Sequence, residues 1–221
     1  MTQKDSLIVV SGGMDSITML HEYSSRIALA LTFNYGSNHN AREIPFARLH
    51  CSALSIPLIE VDLPFIGKLF SSSLLEGAAA VPEGNYDDEN MRSTVVPFRN
   101  GIMLSIAAGI AESHGLHRLM IASHGGDHAI YPDCRPAFID AMSQAIAAGT
   151  YDHITINAPY THLSKADIAR RGAALNIDYA LTYSCYKGTP LHCGRCGTCT
   201  ERHAAFIEAG IPDPTIYDHP L

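Results

Sequence analysis

Leu7-Ile8-Val9-Val10-Ser11-Gly12-Gly13-Met14-Asp15-Ser16 is the stretch that decides the fold of this 221-residue chain. Its four aliphatic residues read as a strand buried on both faces. Ser11-Gly12-Gly13 reads as a turn, and residues 15–23 then carry helical spacing. A glycine turn between strand and helix suits an anion. Without Cβ atoms the backbone N–H groups converge, and the helix N-terminus adds its positive end. Ser11 and Ser16 supply hydroxyl donors. Asp15 cannot touch phosphate without repulsion, so it is read as bracing the loop or helping to hold Mg²⁺. The Gly-Lys-Ser/Thr ending of a Walker A loop is absent, which argues against kinase-type transfer of a γ-phosphate.

Working outward, strand patterns fall at 27–33, 58–61, 118–122 and 154–156. Helical patterns fall at 41–54, 101–113, 136–148 and 165–175. Alternation of the two predicts an α/β fold, a doubly wound parallel sheet whose ligand crevice lies beyond the carboxyl ends of the strands. No repeat or linker marks a second independent domain, so residues 1–221 are expected to form one. Two stretches break the alternation. Residues 71–96 are polar, small and acidic, fitting a lid, a binding loop or a solvated excursion. The other is the cysteine-rich end of the chain, taken as a small C-terminal lobe over 180–221.

Hydrophobic residues make up 47% and charged residues 17%, a globular composition, and the net charge is -7. That balance offers no electrostatic footprint for nucleic acid or anionic membranes. The N-terminus turns polar and glycine-rich too early for a signal peptide, and no apolar run reaches membrane-spanning length, so the expected location is the cytosol.

In a reducing compartment, six cysteines with three inside seven residues favour metal binding or catalysis over disulfides. Cys185, Cys193, Cys196 and Cys199 give four thiolates able to converge on one Zn²⁺, and Gly194 and Gly197 relax the backbone around it. A closed tetrathiolate leaves no open position, so the metal is read as structural. An iron–sulfur cluster, a redox pair and free buried thiols are the alternatives.

The loop resembles the pyrophosphate-binding loop of the N-type ATP pyrophosphatases, Ser-Gly-Gly-x-Asp-Ser, whose fold is adenine nucleotide alpha hydrolase-like. The resemblance implies ATP bound by residues 10–16 (Val10, Ser11, Gly12, Gly13, Met14, Asp15, Ser16), with attack on its α-phosphorus. A narrower one rests on Phe33-Asn34-Tyr35-Gly36, on Val96-Pro97-Phe98-Arg99-Asn100 and on Tyr131-Pro132-Asp133-Cys134-Arg135. Leu163-Ser164-Lys165 and the four cysteines complete the set. Together these resemble the 7-cyano-7-deazaguanine synthase family, QueC, over essentially the whole chain.

That resemblance implies conversion of 7-carboxy-7-deazaguanine to the nitrile with ammonia and two ATP, and a homodimer. It suggests Asp133 as acceptor for the guanine-like N–H edge and Arg135 as an anchor for substrate or phosphate. Alternatively the two brace the turn before Pro136. Arg99 and Asn100 begin a helix and suit a carboxylate or phosphate. Lys165 would neutralise the departing pyrophosphate or be a solvated lysine, and Tyr131 would stack on the base or simply pack. Catalytic roles fall to Lys165, Arg99 and Asp15. Ser37-Asn38-His39 and Ser123-His124-Gly125-Gly126-Asp127-His128 depart from the family pattern and put the acceptor amine in question. The alternative is a ligase that hands the same carboxylate to another amine, such as a protein terminus. Histidines 39, 124 and 128 are read as ordinary polar residues, the alternative being a proton relay.

Overall fold

The computed structural model describes residues 4–85 and 89–221. Strand and helix alternate as the periodicity predicts: β1 (Ser6–Val9), α1 (Met14–Glu22), β2 (Ile27–Asn34), α2 (Asn40–Ala53) and β3 (Leu58–Asp62). They continue with α3 (Pro64–Leu69), α4 (Arg99–Ser113), β4 (Arg118–Met120), α5 (Pro136–Gly149), β5 (Thr155–Asn157), α6 (Lys165–Ala174) and α7 (Gly197–Ala209). The five strands are parallel in the order β3-β2-β1-β4-β5. From β1 the chain steps outward to β2 and β3, then lays β4 on the other side of β1. The loops after β1 and β4 therefore diverge from one point, the place where open α/β sheets receive ligands.

The period-two alternation of a strand splits the core in two. Leu7, Leu31 and Leu119 pack with Met103, Leu104 and Ala107 of α4 and Ile139 of α5. Their neighbours Ile8, Ala30 and Met120 face the other way, onto Ile17 of α1, Ala47 of α2, Ile168 of α6 and Phe206 of α7. Val10 and Met14 belong to this second layer and are fully buried. They offer a ligand only their backbone.

Three features differ from the sequence reading. The short helix α3 carried no periodic signal. Proline at its first turn starts it, where a missing N–H costs nothing. Over 71–96, Leu74, Leu75, Val81, Met91 and Thr94 are buried, so much of the segment is core. Residues 86–88 of that acidic stretch lie outside the described residues. Glu89–Ser113 is long and apolar enough by composition to cross a membrane, yet half of its best window is buried in the fold. Pro97 and the left-handed Phe98 (φ 53°) separate α4 from the 3₁₀ turn before it.

Candidate active site

The 11–16 loop is held by its own hydroxyls. Ser16 Oγ accepts from the Ser11 and Gly12 amides at 3.2 and 3.4 Å and donates to the Gly13 carbonyl. Ser11 Oγ accepts from the Gly13 amide at 3.1 Å. Gly12 has φ +111°, and a Cβ there would lie 2.1 Å from the Glu43 carbonyl oxygen, so no other residue fits. Gly13 precedes α1 with no side-chain cap, which leaves the first-turn N–H groups of α1 pointing out of the loop.

A cavity of about 220 Å³ opens from this loop. Ser11, Gly13, Asp15, Ser16 and Lys165 line it, as do Tyr35, His39, Glu43 and Arg99. Asn100, Tyr131 and Asp127 also line it, with Tyr183, Tyr186 and Thr198 arriving from the cysteine-rich lobe.

Lys165 is the pivot. Residue 164 starts α6 with a capping box, its Oγ accepting from the Asp167 amide, and this fixes the stem of the next residue. The ammonium lies 3.0 Å from both Asp15 Oδ2 and Glu201 Oε2, and 3.4 Å from His124 Nε2. Burial opposes its charge, but Asp15, Glu201 and Asp127 outweigh burial and hold the amine protonated. Burial likewise opposes the Asp15 carboxylate, and Lys165 and His124 overcome it, keeping that carboxyl below the usual range. Glu201 is pushed up by burial, with Lys165 pulling against it.

Arg99 donates to the Tyr35 hydroxyl at 2.9 Å and lies over that ring. His39 Nε2 is 3.3 Å from the same hydroxyl and 3.8 Å from Glu43 Oε2. Burial, helped by Arg99, drives the His39 pKa down to about 3, so its ring is neutral. Asp133 and Arg135 do not line the cavity. Asp133 caps α4, accepting the Asn100 amide at 2.8 Å, and its carbonyl takes the Asn100 side chain. Arg135 donates to the His128 carbonyl at 2.9 Å. Tyr131 faces the cavity while its hydroxyl meets Thr94 and Tyr186.

The four lobe cysteines are buried with their sulfurs within 4.8 Å of one another. Measured edges of 3.9, 4.0 and 3.5 Å match the ~3.8 Å edge of a tetrahedron with Zn–S of about 2.3 Å. So compact a set fits one ion and is too tight to surround a multi-iron cluster. Amides of Cys193, Arg195 and Cys196 donate to the sulfurs of Cys185 and Cys193, which favours thiolates. Gly84 and Glu83 of the 71–96 segment clamp the turn through the Arg195 carbonyl and a bridge to Cys196.

The sequence matches the model of the family described as queuosine biosynthesis protein QueC over residues 5–210. The chain belongs to the QueC family. A relative from Porphyromonas gingivalis named 7-cyano-7-deazaguanine synthase is 61% identical, covering 98% of both chains. Another of that name, from Desulfotalea psychrophila, is 51% identical over 96% of this chain and 98% of its own. Among solved structures, NMN synthetase from Francisella tularensis shares the fold at a TM-score of 0.51 and 10% identity, covering 96% of this chain and 79% of that one.

In this QueC-family enzyme the quoted motifs supply Asp15, Arg99, Asn100, Tyr131 and Lys165 to a single cavity. Sequence reasoning missed Glu43 and Glu201. Each lies on a helix among ordinary polar residues, and only its place on the solvent-poor side of that helix betrays it. His39 and His124, read as ordinary polar residues, stand in the two charged groups.

Proposed function

We propose that the chain converts 7-carboxy-7-deazaguanine to 7-cyano-7-deazaguanine with ammonia, cleaving two ATP to AMP and pyrophosphate. One observation carries the reading: the mouth of the 11–16 loop, the buried Lys165 and the Arg99–Tyr35 wall face the same cavity. A nucleotide and a small acid can meet there, and the reaction below calls on no protein nucleophile.

A carboxylate is a poor acylating group because its oxygen leaves badly. When that oxygen attacks the α-phosphorus, a P–O bond forms, the bond to pyrophosphate breaks, and an acyl adenylate results. Ammonia adds to the carbonyl carbon, loses a proton and expels AMP, giving the amide. The amide oxygen attacks a second α-phosphorus, pyrophosphate leaves again, and loss of two N–H protons with AMP forms the C≡N bond. Orientation and charge stabilisation are what the protein must supply.

In this reading the first-turn amides of α1 receive the β,γ-phosphates, with Ser11 and Ser16 turning their hydroxyls from the loop to the ligand. Lys165 counters charge building on the departing pyrophosphate, and Arg99 faces the reacting carboxylate or phosphate. Asn100 and Tyr131 face the deazaguanine, and Asp133 acts through the Asn100 it holds. Arg135 contacts substrate only if it releases the His128 carbonyl. Asp15 Oδ1 is buried with no hydrogen-bond partner among the described residues, which fits a residue that would hold Mg²⁺ beside the phosphates. Magnesium there would screen their negative charge. The four cysteines would hold Zn²⁺ as a structural ion that fixes the start of α7.

Mass spectrometry of products from 7-carboxy-7-deazaguanine, ATP and ammonium as sole amine tests the reading. The nitrile is expected. An amide that never proceeds, or an unchanged acid, contradicts it.

A further inference from the structure

We propose that Glu43 is a catalytic base, taking protons from the substrate nitrogen as ammonia becomes amide and amide becomes nitrile. The inference rests on the reaction proposed above, which strips three protons from one nitrogen.

The geometry singles this carboxyl out. The turn of α2 that carries it packs its backbone against Gly12, so the side chain is anchored to the loop. Glu43 Oε1 lies 3.8 Å from where a Cβ on Gly13 would stand, beside the loop that the reading above gives to the phosphates. The other acids that line the cavity, Asp15 and Asp127, each have a partner: Asp15 Oδ2 the Lys165 ammonium, and Asp127 the His124 amide and ring. Behind the lining, Glu201 holds Lys165 and Asp133 caps α4. Among the described residues no hydrogen bond reaches the Glu43 carboxylate, and His39 Nε2 stands 3.8 Å from it. It is an acid left facing the cavity.

The groups around it suit a base working near neutrality. Tyr35 from the end of β2, His39 on the approach to α2, Arg99 of α4, Asp15 of α1 and Tyr186 of the lobe surround this corner. Burial raises the Glu43 pKa to about 8, with Asp15 adding to the rise and Arg99 opposing it. A general base is most effective when its pKa lies near the working pH. His39 is held neutral far below that range and Lys165 is held protonated, so neither competes.

The test separates the half-reactions in the intact full-length enzyme loaded with zinc. Glu43→Gln keeps size and shape but cannot take a proton. Exchange of labelled pyrophosphate into ATP, driven by 7-carboxy-7-deazaguanine without ammonia, should stay within about three-fold of wild type. Ammonia-dependent nitrile formation should fall at least ~100-fold. Glu43→Asp should recover part of that loss. Hydroxylamine, an amine already unprotonated at neutral pH, should report a rise in wild-type rate with pH that Glu43→Gln lacks.

Nitrile formation within a few-fold of wild type in Glu43→Gln overturns the role. So does an equal loss of exchange and nitrile formation, which makes Glu43 a support for the loop. Absence of substrate-dependent exchange in the wild type overturns the reaction itself, a separate outcome.

Discussion

The 11–16 loop and the 193–199 cysteine turn are built alike and finished differently. Each depends on a glycine pressed against another segment's carbonyl: Gly12 against Glu43, and Gly194 (φ +70°) against His219, whose oxygen would lie 1.9 Å from a Cβ. In each, backbone amides gather on a small volume. The cysteine turn aims them at its own sulfurs, and four buried sulfurs gathered within 4.8 Å of one another close the shell. The 11–16 loop aims them at hydroxyls that can rotate away, and it leaves first-turn amides and one oxygen of Asp15 without hydrogen-bond partners among the described residues. A closed shell holds structure, and an open one awaits chemistry.

The largest expected effect breaks the closed shell. Cys196→Ser removes a thiolate from a site whose metal binding is worth on the order of ten kcal/mol in small zinc domains. Because Cys196 directly precedes α7, which carries Glu201 to Lys165, zinc content, the thermal transition and activity should all collapse together. Elemental analysis and calorimetry read this. Full activity without zinc would mean the two regions are independent.

Next comes the open shell. Lys165→Met leaves Asp15 and Glu201 facing each other without a cation. Removing one partner of a buried pair costs about 3–5 kcal/mol, and nitrile formation should fall by roughly 10²–10³. Bound zinc should not change.

Gly12→Ala and Gly194→Ala sharpen the comparison by matching the insult. Each forces an L-residue into left-handed backbone against a carbonyl, a strain of about 1–3 kcal/mol. Gly12→Ala should raise the KM for ATP with zinc intact. Gly194→Ala should loosen zinc, and its effect on ATP should follow zinc loss.

The smallest effect is one of pH. Glu43 has a folded pKa of about 8 against an ordinary 4.5. The folded state therefore binds more protons between those values, and this contribution to stability is full below about 4.5 and lost as pH rises through 8. His39 runs oppositely. Its folded pKa is about 3 against 6.5, so its contribution is full above 6.5 and lost as pH falls through 3. Glu43→Gln should hence be more stable than wild type at about pH 9, by up to a few kcal/mol, and level with it near pH 5. Denaturant melts at the two pH values measure it. No difference at alkaline pH contradicts a protonated Glu43.

Both shells were legible in the sequence because each is local. Ser11 to Ser16 and Cys193 to Cys199 are short runs whose spacing carries its own geometry, and the alternation around Leu7–Val10 gave the sheet. The walls between them were not legible. Glu43 and Tyr186 enter the cavity from α2 and the lobe, and Glu201 reaches the lining Lys165 from α7. No spacing in the chain encodes that meeting. Asp133 was legible as a polar motif residue, but its partner was not: the left-handed Phe98 turns the start of α4 so that the Asn100 amide reaches its carboxylate.

The most direct measurement of the central claim is the nucleotide left after turnover. With 7-carboxy-7-deazaguanine and ammonium, the account predicts AMP and pyrophosphate, two of each per nitrile formed. ADP and orthophosphate would place the attack on the outer phosphorus and contradict it.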